Sequence, residues 1–183
     1  MIIGITGKKR SGKDTTANLI VTHYNFHKLS FAHPIKLAAQ MMLDTFFDDD
    51  DKETIIPYLG VSYRHILQTL GTEWGREQIH PDIWVILALK KIKSLNLENV
   101  VFSDLRFPNE ANAIRDNNGF IIHIIGPKSE HTDNHASERG LPVGPNDFII
   151  DNSHRNIELL QEQVALVMHK IYEVIQNVER QAV

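Results

Sequence analysis

The sequence predicts an α/β fold, a five-stranded parallel sheet with helices on both faces. Three observations carry that prediction. Short apolar, β-branched runs alternate with helical patterns along the chain, the order a parallel sheet with crossover helices requires. The first run, Met1–Thr6, passes directly into Gly7-Lys8-Lys9-Arg10-Ser11-Gly12-Lys13 and then into a helical pattern. The chain has 183 residues, 42% of them hydrophobic, which is enough for one domain with an ordinary core.

The elements follow in order. Met1–Thr6 is a buried strand. Lys13 to about His23 is a helix with Ala17, Leu19 and Ile20 at apolar positions. Phe26–Phe31 is the second strand, and His33-Pro34 breaks it. A helix runs from Ile35 to about Phe47, carrying Leu37, Ala38, Met41 and Met42. The acidic run "DDDDKE" lacks the glycine and the spaced acids of a calcium loop, so it reads as a solvated turn. Ser62 is an N-cap for a helix through Ile66, Leu67, Leu70 and Trp74. Pro81 opens another that ends near Lys93. Asn99–Ser103 is a strand ending on Asp104, and Asn109–Asn117 is a helix closed by Asn118-Gly119. Phe120–Ile125 is the fourth strand, Gly126–Pro145 a polar loop or small flap, and Asp147–Ile150 the fifth strand. Ile157 to about Val178 is a long last helix. Neither a repeat nor a linker interrupts this order.

Composition excludes several classes. A net charge of -4 gives no case for binding polymeric nucleic acid or an acidic membrane. The absence of Cys removes disulfides, thiol nucleophiles and thiolate zinc sites. The opening apolar run of about five residues, followed by Lys8, Lys9, Arg10 and Lys13, is too short for a signal peptide. No apolar run approaches the ~20 residues of a membrane span. The expectation is a soluble, cytoplasmic protein.

The pattern Gly-x-x-x-x-Gly-Lys without a following Ser or Thr would arise by chance in roughly one chain of this size in twenty. Context therefore decides, and the context is a strand before it and a helix after it. Glycines at Gly7 and Gly12 let the loop curl so that several N–H groups face one anion. The helix start adds partial positive charge, and Lys13 has the length to reach β- and γ-phosphates. Asp14 stands where a metal-contacting hydroxyl is usual. Its carboxylate can hold Mg2+ through a water, with Thr15 or Thr16 supplying a hydroxyl. The plainer reading of Asp14 is an acid that favours the helix start.

With the loop placed, "GKKRSGKDTTA", "LQTLGTEWGR", "PDIWV", "VVFSDLRFPNEANAI", "HASE" and "DFIIDN" together resemble, in order over roughly residues 2–170, the phage and bacterial deoxynucleoside monophosphate kinases. These belong to the nucleoside monophosphate kinase-like group of P-loop phosphotransferases. The resemblance implies a single P-loop domain over residues 1–183, with a core of 1–34 and 98–183. It further implies a helical acceptor-binding region over about 35–97 and a lid over about 126–145. The Ser-Gly-Lys-Asp-Thr form of the loop is similar to the family's own, so Asp14 is a family trait.

The implied activity is transfer of the γ-phosphate of ATP to a deoxynucleoside 5'-monophosphate, with Mg2+. ATP would lie on Gly7, Lys8, Arg10, Ser11, Gly12, Lys13, Asp14 and Thr15, with Asn152 near the adenine. The metal would be organised by Asp14, Thr15 and Asp104. The acceptor pocket would use Lys36, Arg64, Gln68, Trp74, Arg76 and Asp104. A guanidinium fork suits the acceptor phosphate, and Trp74 suits stacking on a base, although an ordinary ion pair and a core aromatic are the plainer readings. Lys13, Arg106 and Arg139 are the catalytic candidates. Arg106 resembles the arginine between acceptor and donor phosphates, where its charge stabilises transfer. Lys128 and Arg139 are lid cations, with Arg115 as a further candidate. His131 and His135 sit four apart, but neither HExxH nor Cys accompanies them, so a polar flap is the plainer reading.

Two rival functions remain open on the sequence. A related small-molecule kinase such as phosphomevalonate kinase shares the Ser-Gly-Lys-Asp loop, and a non-catalytic ATP-binding regulatory module would need only that loop. "LQTLGTEWGREQIHPDIWV" favours the nucleotide acceptor. Basic residues in two separate places favour transfer over binding alone. Whether the protein forms a homodimer is left open.

Overall fold

The computed structural model describes residues 1–47, 52–127 and 140–181. In chain order the elements are β1 (Ile2–Gly7), α1 (Lys13–Tyr24), β2 (His27–Leu29), α2 (His33–Leu43), β3 (Ile55–Ile56), β4 (Val61–Ser62), α3 (Tyr63–Gln68), a π-helical segment (Thr69–Ile79), α4 (Ile83–Ser94), β5 (Val100–Phe102), α5 (Pro108–Asp116), β6 (Phe120–Ile125), β7 (Phe148–Asp151) and α6 (Ile157–Gln181). They form two compact units, Met1–Leu29 with Leu95–Val183, and Ser30–Ser94.

The first unit is built on a parallel five-stranded sheet in the order β2-β5-β1-β6-β7. One face of the sheet presents Ile3, Ile5, Val101, Ile122, Ile124 and Ile150. Against it lie Ala17 and Ile20 of α1 and Leu160, Val164, Val167, Met168 and Ile171 of α6. The α6 residues recur every three or four positions, so one stripe of the helix faces the sheet. Each fully buried Ile or Leu here contributes on the order of 1.5–3 kcal/mol through loss of apolar surface from water. The strand order changes direction at β1, so the loop leaving its C-terminal end opens at the topological switch point, where such sheets bind ligands.

The second unit packs α2, the β3–β4 hairpin and α3 around Ala39, Ile56 and Tyr63, with Leu43, Phe47, Ile66, Leu67 and Leu70 beside them. Phe47 stacks on Tyr63 with ring centroids 4.3 Å apart. Ser62 caps α3 as expected, its Oγ accepting from His65 N at 3.2 Å.

Several expected boundaries shift for identifiable reasons. Strand β2 is three residues long rather than six, and α2 begins at His33 because Pro34 fits a first helical turn. The β3–β4 hairpin was not expected, since two-residue strands show no alternation. Asp147 precedes β7 and accepts from Gly144 N at 2.7 Å, which makes it a turn residue. The helix expected to run through Trp74 stays α-helical only to Gln68 and then widens. In the wide part His80 N bonds to Gly75 O, five residues back.

The reason for the widening lies in Gly71 and Gly75. Gly71 O accepts from Trp84 Nε1 at 2.7 Å and from Arg76 Nη1 at 3.2 Å. At Gly75 a Cβ would run into the Trp84 ring and stand 2.9 Å from Leu70 O. The two glycines, weak helix formers, thus admit a neighbouring helix at close range. The acidic run 48–51 and loop residues 128–139 lie outside the described residues.

Candidate active site

Strand β1 delivers the chain to Gly7, and α1 takes it up again at Lys13. Between them Arg10 and Gly12 both adopt positive φ, 62° and 104°. For Arg10 this is a strained conformation that the loop imposes. At Gly12 a Cβ would collide with Asn152 Nδ2, so only glycine combines that turn with that neighbour. Ser11 N closes the turn on Lys8 O at 3.2 Å. Lys13 Nζ donates to Gly7 O and Lys8 O at 2.8 Å each, so the ammonium lies over the loop.

The loop is braced from the far end of the chain. Asn152 stands just beyond β7, and its Nδ2 donates to Ser11 O at 2.9 Å while its N donates to Ile125 O at 2.7 Å. Its side-chain Nδ2 thus holds the loop from the far end of the chain. Gly126, just after β6, lies so near Ser11 that a Cβ would stand 2.6 Å from Ser11 Cα. Ser11 Oγ and Thr16 Oγ1 are buried without a hydrogen-bond partner among the described residues. Thr15 is exposed.

Asp14 has three neighbours. Its Oδ1 accepts from Lys28 Nζ at 2.8 Å and from Ser103 Oγ at 2.9 Å. Lys28 Nζ also donates to Asn18 Oδ1 at 3.2 Å. Partial burial pushes the Asp14 carboxyl up, but the bonds from Lys28 and Ser103 and the charges of Lys28 and Lys13 outweigh it and hold the group below its ordinary value.

Asp104 and Arg106 are both half-buried in the turn from β5 to α5. Glu110, only 2% exposed, accepts from Arg106 N at 2.9 Å and Phe107 N at 3.1 Å, fixing the backbone on either side of the Arg106 side chain. Arg115, the further cation candidate, is committed to Asp147 through Nη2 at 2.8 and 3.1 Å. His123 Nε2 lies 2.8 Å from the same carboxylate. Burial pushes Asp147 up, while Gly144, His123 and Arg115 together hold it below its ordinary value.

The remaining candidates belong to the second unit. Arg64 Nε pairs with Glu53 Oε1 at 2.7 Å, and Gln68 lies four residues on along α3. Trp74, 44% exposed, is not a core aromatic; Trp84, 4% exposed, fills that role. Arg76 is tied through Nη1 to Gly71 O. Lys36 is half-buried on α2, and with Lys91 its charge adds to the effect of burial in holding His33 below the usual imidazole range. Arg139, Lys128, His131 and His135 lie outside the described residues.

The sequence reading missed Lys28, Ser103 and Glu110. The signal for the first two is parity. Val101 faces α1, Ser103 is two residues further on the same strand, and Lys28 pairs in register with Val101. Glu110 has a local signal, an acid at N3 of a helix opened by Pro108.

A strand, a glycine loop ending in lysine, and a helix at the switch point of a parallel sheet in this order define a P-loop nucleotide-binding fold. The sequence profile described as "Deoxynucleotide monophosphate kinase" matches residues 1–59 and 57–164. The chain belongs to that family and is a kinase. A protein of Acanthamoeba polyphaga mimivirus, whose name assigns it this activity provisionally, is 30% identical over 90% of this chain and 94% of its own length. The deoxynucleoside-5'-monophosphate kinase of Escherichia phage T5 is 24% identical over 78% of this chain and 86% of its own. The deoxynucleotide monophosphate kinase of Enterobacteria phage T4 is 24% identical over 88% of this chain and 96% of its own. Among the described residues no helix is long and apolar enough to cross a membrane.

Proposed function

We propose that this chain moves the γ-phosphate of ATP to a deoxynucleoside 5'-monophosphate, giving ADP and the diphosphate. The observation that carries the reading is the braced loop under Lys13, in a chain whose named relatives are kinases of this acceptor class. Lys13 and the loop N–H groups from Gly7 to Thr15, with Lys8 and Arg10 at the rim, bind the phosphates of ATP. Arg106, its backbone held by Glu110, supplies charge between donor and acceptor, and Arg139 joins it. Lys36, Arg64, Gln68, Trp74 and Arg76 take the acceptor; here Arg64 would exchange its exposed Glu53 partner for a phosphate. Phosphoryl transfer depends on placement and charge neutralisation, so no covalent nucleophile is assigned.

The donor set suits a hard divalent cation. Around the loop it is oxygen, with the Asp14 carboxylate and, at Ser11 and Thr16, two buried hydroxyls that lack a partner among the described residues. Asp14, Thr15 and Asp104 would hold Mg2+, which when bound would supply charge neutralisation on the phosphates. The relatives' names do not favour the phosphomevalonate or regulatory-module readings. The test is a phosphotransfer screen with ATP and Mg2+ over all deoxy- and ribonucleoside monophosphates and phosphomevalonate. ADP formation that depends on a deoxynucleotide is expected. Dominant turnover of phosphomevalonate, or no acceptor-dependent ADP, would sink the proposal.

A further inference from the structure

Three elements converge on one oxygen of Asp14. The carboxylate stands in the first turn of α1. Lys28 Nζ reaches its Oδ1 from β2, and Ser103 Oγ reaches the same atom from the end of β5. The register Lys28↔Val101 sends both donors out of the α1 face of the sheet, so the convergence follows from strand pairing and not from a chance rotamer. Lys28 is fixed further by Asn18 Oδ1, one turn along α1 from Asp14.

The pair adds little to stability. Side-chain exposure is 33% for Lys28 and 72% for Asp14, and exposed ion pairs are weak and screened by salt. Its consequence lies in where it stands. Asp14 directly follows Lys13, at the start of the helix that receives phosphate, and carries the charge proposed for the metal.

We infer that Lys28 is a resident cation of the phosphate site that shares Asp14 with the divalent ion, orienting the carboxylate and weakening the ion's hold on it. This rests on the Mg2+–ATP reading of the loop. Two cations on one carboxylate repel, and the ammonium, being covalently tethered, does not leave. Ser103 keeps the carboxylate aimed whichever cation dominates. Lys28 is thus a positioning residue acting through Asp14. It sets how much divalent ion the site requires and keeps the Asp14 charge balanced even when the ion is scarce.

The test is a titration of Mn2+ into the full chain loaded with a non-hydrolysable ATP analogue, with free Mn2+ followed by electron paramagnetic resonance. Lys28→Met and Lys28→Gln are expected to bind Mn2+ about threefold more tightly, within the range by which exposed ion pairs couple. They should bind the analogue more weakly when no metal is present. Lys28→Arg, which keeps the charge, should return both affinities towards those of the original protein. In an Asp14→Asn background, Lys28→Met should no longer change Mn2+ affinity, because the shared group is gone. Unchanged or weaker Mn2+ binding by both neutral variants, with thermal unfolding like the original, overturns the inference alone. Failure of the unaltered chain to bind the Mn2+-loaded analogue overturns the ATP-site reading beneath it as well.

Discussion

The two units of this kinase hold their charged side chains by different routes. In Met1–Leu29 with Leu95–Val183, a sheet core of buried isoleucines fixes the ends of β1, β5 and β6, and the phosphate loop hangs from those ends. In Ser30–Ser94 the core is a small cluster around Tyr63, and the arginine-bearing stretch depends on a wide helix turn shaped by two glycines and Trp84. The second unit also leaves Leu37, Met41, Met42 and Phe46 exposed. One unit places its charges on a strand–loop–helix whose turn needs glycine at Gly12 and a brace from Asn152. The other places them with a particular fit between side chains. Damage at the loop should accordingly act through chemistry, and damage at the wide turn through stability.

The largest expected effect tests the first unit. Lys13→Ala should lower kcat/KM by about 100-fold or more, the scale of removing a donor from a developing charge, while thermal unfolding stays near that of the original. Steady-state kinetics with matched unfolding curves would show it, and a near-normal rate would remove Lys13 from the centre. Arg106→Ala should lower kcat by roughly 10- to 100-fold and weaken ATP binding much less, because its contacts strengthen in transfer. A loss confined to ATP affinity would place Arg106 outside the transfer step.

The next prediction turns to the second unit. Gly75→Ala drives a methyl into the Trp84 ring and should cost about 1–3 kcal/mol by denaturant unfolding. Binding of an ATP analogue, a property of the other unit's loop, should survive within about twofold where the protein remains folded. Strong loss of analogue binding with unchanged stability would reverse the comparison. The smallest effect returns to the first unit, away from the loop. Asp147→Asn should cost about 1–2 kcal/mol at neutral pH, since His123 and Arg115 lose a charged partner. The folded carboxyl sits below its ordinary value, so its contribution is fully present above that ordinary value. It is lost as pH falls through the lowered one. Unfolding free energies of the two proteins should therefore converge in acid, and a difference that persists there would contradict the charge argument.

The same contrast explains what could be read in advance. Strand–loop–helix order, hydrophobic run length and the glycine spacing locate β1, α1 and the parallel sheet, because these signals are local. Ser62 as a cap is equally local. The partners of Asp14 are not local: Lys28 and Ser103 meet it through register between strands, which one-dimensional periodicity does not contain until strand order is known. Asn152 lies 141 residues from the carbonyl it braces, so that contact carries no local signal. The wide turn at Thr69–Ile79 was hidden because glycine propensity indicates a weak helix but not which alternative replaces it.

That wide turn has a consequence for how the second unit tolerates changes in length. An i→i+5 turn takes up about one residue more than an ordinary α-turn. Loss of one residue within it can be absorbed by a return to ordinary winding, which leaves the helix faces on either side close to their present directions. The same loss inside α4 would turn everything after it by about 100°. Single-residue changes of length are therefore cheaper in this segment than in its regular neighbours.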